Sequence, residues 1–126
     1  MLVSVSNGEL LDKYSILLIK KEYLSDKKKL DHVDNEIKHI INNVDNIKNN
    51  YNITDLFNEL IKVNKELWNI EDNIRLKEKK KEFDNEFIEL ARSVYFTNDK
   101  RAKIKNDINL LTESNIFEVK SYEKYT

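Results

Sequence analysis

The stretch NKELWNIEDNIRLKEKKKEFDNEFIELARSVYFTNDKR, Asn64 to Arg101, decides how the chain is read. It holds the single tryptophan, Trp68, and all three arginines, Arg75, Arg92 and Arg101. Leu67, Ile70 and Ile74 recur at three-four spacing, which marks a helix buried along one stripe. The run Lys77 to Glu82 is wholly charged, and the stripe resumes at Phe83, Phe87, Leu90 and Val94. A helix running unbroken from the start of this pattern would be roughly 85 Å long at 1.5 Å per residue. Because the stripe is interrupted, a break or sharp kink is expected between Lys77 and Glu82.

The same periodicity extends outward on both sides. Upstream, Leu56, Leu60 and Val63 begin the stripe; downstream, Ile104, Ile108 and Leu111 complete it. Asn49 to Asn52 reads as a loop, with Asn52 or Thr54 capping the helix that follows. Before it, Leu30, Val33, Ile37, Ile40, Val44 and Ile47 keep strict three-four spacing, preceded by Ile16, Ile19 and Tyr23. A first helix from about Asn7 to about Lys48 follows, continuous through Ser25 to Lys29 although no apolar residue lies there. Leu10, Leu11, Tyr14, Leu17 and Leu18 widen its apolar face near the start, which places the thick part of the core at that end. Ser6 to Glu9 has the form of a capping box, the Ser6 hydroxyl accepting from the Glu9 N–H and the Glu9 carboxylate reaching back. Gly8 then belongs to a helix start and not to a phosphate loop. Met1 to Ser6 and Ile116 to Tyr122 look extended.

Composition excludes several classes. One glycine and no proline leave too few turn residues for a sheet-rich fold. The absence of cysteine removes disulfides and thiolate metal sites. The apolar share is 40% and the charged share 36%, which suits thin helical layers that bury one stripe each and invites oligomerisation. A formal net charge of −1, with the signs mixed, gives no electrostatic reason to expect nucleic acid or an anionic membrane as partner. No apolar run approaches the ~20 residues of a membrane span, and no signal-peptide pattern is read, so an intracellular protein is expected.

Two polar rows flank the stripes. Asn64, Trp68, Glu71 and Arg75 are spaced four, three, four, with Asp72 beside them, and so share one side of a helix. Arg92, Tyr95 and Asp99 form a similar row, with Asn98 and Arg101 alongside. Two readings stay open. In one, the rows face each other across a pocket in which arginines hold an anionic group, Trp68 and Tyr95 stack on a ring, and Asn64 and Asn98 fix orientation. In the other, Glu71 or Asp72 pairs with Arg92 or Arg101 and sets helix register. Lysine is plentiful and arginine scarce, which suggests positions where planar, forked geometry matters; both readings use it.

Metal and nucleophile chemistry gain little support. His32 and His39 lie two helical turns apart with no third ligand indicated. Glu86 and Glu89 have a Glu-x-x-Glu spacing that can hold Mg²⁺ on a helix, but only Glu71 with Asp72, or Glu66, would supply the second pair. No metal site and no cofactor is therefore expected, and no Ser/His/Asp or Cys/His arrangement appears.

Six blocks together carry a resemblance. They are Gly8-Glu-Leu-Leu-Asp-Lys13, Glu66-Leu-Trp-Asn-Ile-Glu-Asp-Asn-Ile-Arg75, Phe83 to Tyr95, Asn98-Asp-Lys-Arg101, Lys105-Asn-Asp-Ile-Asn109 and Lys120-Ser-Tyr122. The chain resembles a family of short uncharacterised proteins found in bacteria, often near surface-polysaccharide genes, and in phages and large DNA viruses. The resemblance implies a shared fold, and implies that the two polar rows belong to the family pattern. It brings no function with it.

The sequence thus predicts one all-α domain over residues 1–126. It is a long antiparallel helical hairpin, or a three-helix coiled-coil-like bundle, with short extended ends. The leading functional expectation is a non-enzymatic interaction or assembly module acting as a homodimer or higher oligomer, with a protein partner as a further possibility. The alternative is a small-molecule site, for a sugar phosphate or nucleotide, around Trp68, Arg75, Arg92, Tyr95 and Arg101.

Overall fold

The computed structural model describes residues 1–114. It contains four helices: α1 (Asn7–Tyr23), α2 (Lys27–Asn50), α3 (Thr54–Lys80) and α4 (Asn85–Leu111). Among the described residues there is no strand. The expected extended segment Ile116 to Tyr122 lies outside the described residues.

The all-α class holds, but the bundle has four helices, neither a simple hairpin nor three. The expected first helix is two, broken where Ser25 to Lys29 lacks apolar residues. Leu24 takes extended backbone, and Asp26 caps α2 by accepting from the Lys28 N–H at 2.9 Å. The break has a packing cause. α1 is buried over a broad surface that includes Leu11, Leu17 and Ile19, whereas α2 buries only the stripe of Val33, Val44 and Ile47. Folding α2 back along α1 covers that stripe; a straight continuation would leave it in water. Ion pairs from Lys21 to Asp34 (3.1 Å) and from Lys13 to Glu36 (3.7 Å) follow the antiparallel course.

The core sits where the first turns of α1 meet the ends of α2 and α4 and the start of α3. Leu11, Val44, Ile47, Ile53, Phe57, Leu60, Val63, Ile104 and Ile108 form one buried cluster. Each such side chain contributes about 1.5–3 kcal/mol of burial. Tyr14 stacks on Phe57 with ring centroids 5.7 Å apart, and the Lys48 ammonium lies 5.1 and 5.2 Å from the two rings, closing that end with cation–π contacts. The start of α3 departs from expectation. Ile53 occupies the N-cap position without a side-chain cap, Asn52 Oδ1 reaches the Thr54 N–H at only 3.4 Å, and Thr54 is already helical.

α1 and α4 touch backbone to backbone. A Cβ on Gly8 would lie 2.3 Å from the Lys105 carbonyl oxygen, so glycine is required there by close approach and not by dihedral freedom. The Ser6 hydroxyl accepts from the Glu9 N–H at 3.1 Å, as the capping box predicts. The reciprocal half is absent, because the Glu9 carboxylate is taken by Lys105 Nζ at 2.6 Å. The remaining early N–H groups of α1 are capped from α4 and just past its end: Gly8 N–H donates to Asn109 Oδ1 at 2.7 Å and Asn7 N–H to Ser114 Oγ at 3.2 Å.

α3 and α4 form a second antiparallel hairpin, and the break expected in the charged run is present. Lys81 adopts the left-handed conformation (φ 57°) that ends α3, and Asp84 caps α4 by accepting from the Phe87 N–H at 3.0 Å. Lys77 spans the turn, its ammonium 3.2 Å from Glu82, 3.0 Å from Asp84 and 3.0 Å from Glu86. These partners, Asp84 foremost, raise the Lys77 pKa. The Phe87 N–H and then Lys77 lower that of Asp84. Beyond Trp68, α3 runs twelve residues further, about 18 Å, and with α4 makes a two-helix arm. From Lys65 to Phe96 no residue is fully buried. Among the described residues no helix is long and apolar enough to cross a membrane.

Two outcomes are expected. Gly8→Ala should cost about 1–3 kcal/mol of unfolding free energy, the cost of overpacking, measured by urea denaturation; an unchanged midpoint would contradict the close contact. The arm's turn should also loosen at both pH extremes. Asp84 has a depressed folded pKa, so its contribution is present above its ordinary pKa of 3.8 and lost as pH falls below it. Lys77 has a raised one, so its contribution is full below 10.5 and lost as pH rises through the folded value. Hydrogen exchange of the Phe87 amide, referenced to the intrinsic rate, should lose protection below about pH 4 while the Ile108 amide keeps it.

Candidate functional site

The polar residues of this protein meet in one layer across α1, α3 and α4. At its centre is Asp12, 1% exposed. Its Oδ1 accepts from Arg101 Nε at 2.9 Å and from Asn64 Nδ2 at 2.9 Å. Its Oδ2 accepts from the Arg101 Nη2, so the pairing is bidentate. Lys105 Nζ stands 3.7 Å from the same oxygen and binds Glu9 at 2.6 Å. The second proton of Asn64 Nδ2 goes to Ser15 Oγ at 2.7 Å, and the Ser15 hydroxyl donates to the Asp12 carbonyl at 2.7 Å. Two carboxylates and two cations balance, and the central carboxylate receives three short hydrogen bonds. This is how a protein makes a buried charge tolerable.

The layer is placed by sequence spacing. Gly8, Asp12 and Ser15 lie four and three apart on α1, while Arg101, Lys105 and Asn109 lie four apart on α4. Each set therefore shares one side of its helix. Gly8 lets the two sides approach until side chains as different as arginine and lysine converge on one carboxylate. Neither Asp12 nor Glu9 nor Lys105 is singled out by the reading of the polar rows. Their signal is Gly8, Asp12 and Ser15 interleaved at helical spacing with Leu11 and Ile19, all five buried: polar residues within an apolar face.

Beside this layer a groove of about 470 Å³ opens, lined by Ile16, Asn64, Leu67, Trp68, Glu71, Asp72, Arg75, Asn98 and Arg101. Seven of the ten anticipated residues are thus brought together. Trp68 is half-buried, its indole edge-on to Tyr23 with centroids 5.5 Å apart. Among the described residues Arg75, Glu71 and Asp72 form no ion pair, although Glu71 and Arg75 are one helical turn apart. Asn64, expected to orient a ligand, spends both amide protons on Asp12 and Ser15.

Arg92, Tyr95 and Asp99 do not line the groove. Arg92 is exposed, 3.5 Å from Glu89 and with its guanidinium over the Phe96 ring at 5.8 Å, and Tyr95 is 42% exposed. Both sit on a different side of α4 from Asn98 and Arg101, so a pocket built around Arg92 and Tyr95 is not formed. The expected pairing of Glu71 or Asp72 with Arg92 or Arg101 is also replaced. Arg101 turns to Asp12 because α1, and not α3, presents a fully desolvated carboxylate. Of the other candidates, Glu86 is held by Lys77 and Glu89 by Arg92, and His39 Nδ1 lies 2.7 Å from the Asn35 carbonyl oxygen. Among the described residues no group of three or more His, Asp and Glu side chains converges as a metal site.

An all-helical fold with a buried ionic layer beside a mixed polar groove defines a class of architecture and no particular chemistry. The chain belongs to a family of unknown function, DUF6165, whose model matches residues 1–126. No curated protein and no solved structure matches it.

Asp12→Asn should lower stability by about 3–5 kcal/mol, because it leaves Arg101 and Lys105 facing a neutral group in a desolvated layer. Arg101→Lys should recover little, since an ammonium cannot make the bidentate contact. Guanidinium denaturation of both proteins checks this; a loss under 1 kcal/mol in each would mean that the layer is solvated.

Proposed function

We propose that the groove beside the ionic layer binds a small polar ligand carrying an anionic group and a ring, in the chemical class of sugar phosphates and nucleotides. One observation carries the reading. Trp68 and an arginine without an ion pair among the described residues, Arg75, line the same concavity. An arginine employed only in structure finds its carboxylate, as Arg101 does with Asp12. Arg75 has Glu71 one turn away and is not paired with it, so its forked donors remain available to an oxyanion.

The other lining residues support this choice. Trp68 offers an apolar, polarisable surface for a ring, and Ile16 and Leu67 extend it. Glu71 and Asp72 are acceptors suited to ligand hydroxyls, and the Asn98 amide can serve as donor or acceptor. The volume falls within the usual range of small-molecule sites, about 300–1,000 Å³. The buried layer acts as the rigid floor: Asp12 and Asn64 fix Arg101 and, through it, the spacing of α3 from α4.

The test is Trp68 fluorescence together with melting temperature across nucleotides, nucleotide sugars, sugar phosphates and inorganic phosphate. A ligand of this class at 100 times its Kd should stabilise the fold by about 2.7 kcal/mol. Arg75→Ala should weaken binding roughly 10- to 100-fold, the worth of a charge-assisted hydrogen bond, without changing the ligand-free melting temperature. The same ligand bound equally by Arg75→Ala, or no response to any compound at millimolar concentration, would overturn the reading.

A further inference from the structure

The outer side of α3 on the arm bears a row of which the groove takes up only Asp72. Asp72, Leu76 and Lys80 are spaced four and four. On a helix these positions fall on one side, and it is not the side of the seam that faces α4, which holds Leu67, Ile70 and Ile74. All three are exposed, Leu76 by 53%. Among the described residues Asp72 and Lys80 make no ion pair.

The spacing reads the same in both directions from Leu76. A surface that joins two identical chains about a twofold axis must be complementary to itself, so that residue i meets j and j meets i. With the axis at Leu76, an antiparallel copy of α3 brings Leu76 against its own mate. It also brings Asp72 against Lys80 twice. Opposite charges meet at both symmetric positions and the exposed Leu76 meets itself at the centre. We infer that this row is a homodimer contact, in which α3 of one copy crosses α3 of a second copy antiparallel about Leu76. The partner is therefore a second copy of this chain, chosen over an unrelated protein because the row complements itself.

Two helices alone cannot enclose side chains from Lys65 to Phe96, and none there is fully buried. A second copy of α3 against the first covers the exposed side of α3 on the arm. One helix face is a small contact, in the class under about 1,200 Å² that associates weakly. The dimer is accordingly concentration-dependent. The inference does not rest on the ligand reading of the groove, since the oligomeric state can be measured with no ligand present.

Sedimentation velocity of the full chain, up to about 1 mM where a contact of this class is populated, tests the inference. The wild-type sedimentation coefficient should rise with concentration from monomer towards dimer. Lys80→Asp and Asp72→Lys should each abolish the rise, by setting like charges opposite each other, and the double variant should restore it. Both positions of this cycle are on the surface, and circular dichroism verifies that helix content is kept. As a second readout, Leu76→Cys in this cysteine-free chain should form a disulfide-linked dimer under mild oxidation, whereas Ile88→Cys on the other helix should remain monomeric. A wild type that stays monomeric throughout overturns the inference. So does a dimer that the single reversals leave intact, or one that the double reversal fails to restore, because either outcome places the contact on another face.

Discussion

A carboxylate removed from water must be matched in place, and Asp12 is matched by groups from two other helices. Arg101 on α4 and Asn64 on α3 can reach it only if both helices lie in one register against α1. Gly8 permits the approach, and Lys105 with Glu9 closes the side away from the groove. The apolar cluster around Leu11, Leu60 and Ile108 supplies most of the burial free energy, yet a cluster of aliphatic side chains tolerates sliding by a turn. The ionic layer does not, since a shift of one turn would strand a buried charge at a cost of several kcal/mol. Such a layer need not add net stability over a well-packed apolar substitute. Its physical role is to select one arrangement of helices among several with similar cores.

This division of labour explains which parts of the fold were legible in the sequence. Three-four spacing at Leu56 to Ile74 and at Ile104 to Leu111 specifies helices and their buried stripes, because each stripe is a local pattern. The turn at Lys81 and the Ser6 cap follow from equally local chemistry. The break at Leu24 to Asp26 was not legible: the stripe of Leu30 to Ile47 is compatible with a straight helix as well as with one folded back, and the choice is made by the breadth of α1, a tertiary property. The missing half of the Ser6–Glu9 capping box has the same origin. A carboxylate within reach of Lys105, ninety-six residues away, forms an ion pair in place of a local hydrogen bond.

The candidate site was half legible for a related reason. Asn64, Trp68, Glu71, Asp72 and Arg75 share one helix, and their common side could be read from spacing alone. Which side of α4 meets them could not. Asn98 and Arg101 face α1 and the groove, whereas Arg92 and Tyr95, six and three residues before Asn98, point elsewhere. Asp12 does not stand out in the sequence, because an aspartate flanked by leucine and lysine looks like any solvated position until its helix is placed between two others. The polar side chains at Gly8 spacing within an apolar face were the available sign. The groove lies beside the layer: Arg101 is turned inward to Asp12, and Glu71, Asp72 and Arg75 line the concavity next to it.

The measurement that bears most directly on the ionic layer is a double-mutant cycle of Asp12→Asn and Arg101→Gln, read by equilibrium denaturation. Residues that make a desolvated bidentate pair are predicted to couple by about 2–3 kcal/mol, at the upper end of the range seen for directly interacting side chains. The double variant should then be little less stable than the worse single one. Losses that simply add, to within about 0.5 kcal/mol as for distant sites, would contradict the account and return the choice of helix register to the apolar core.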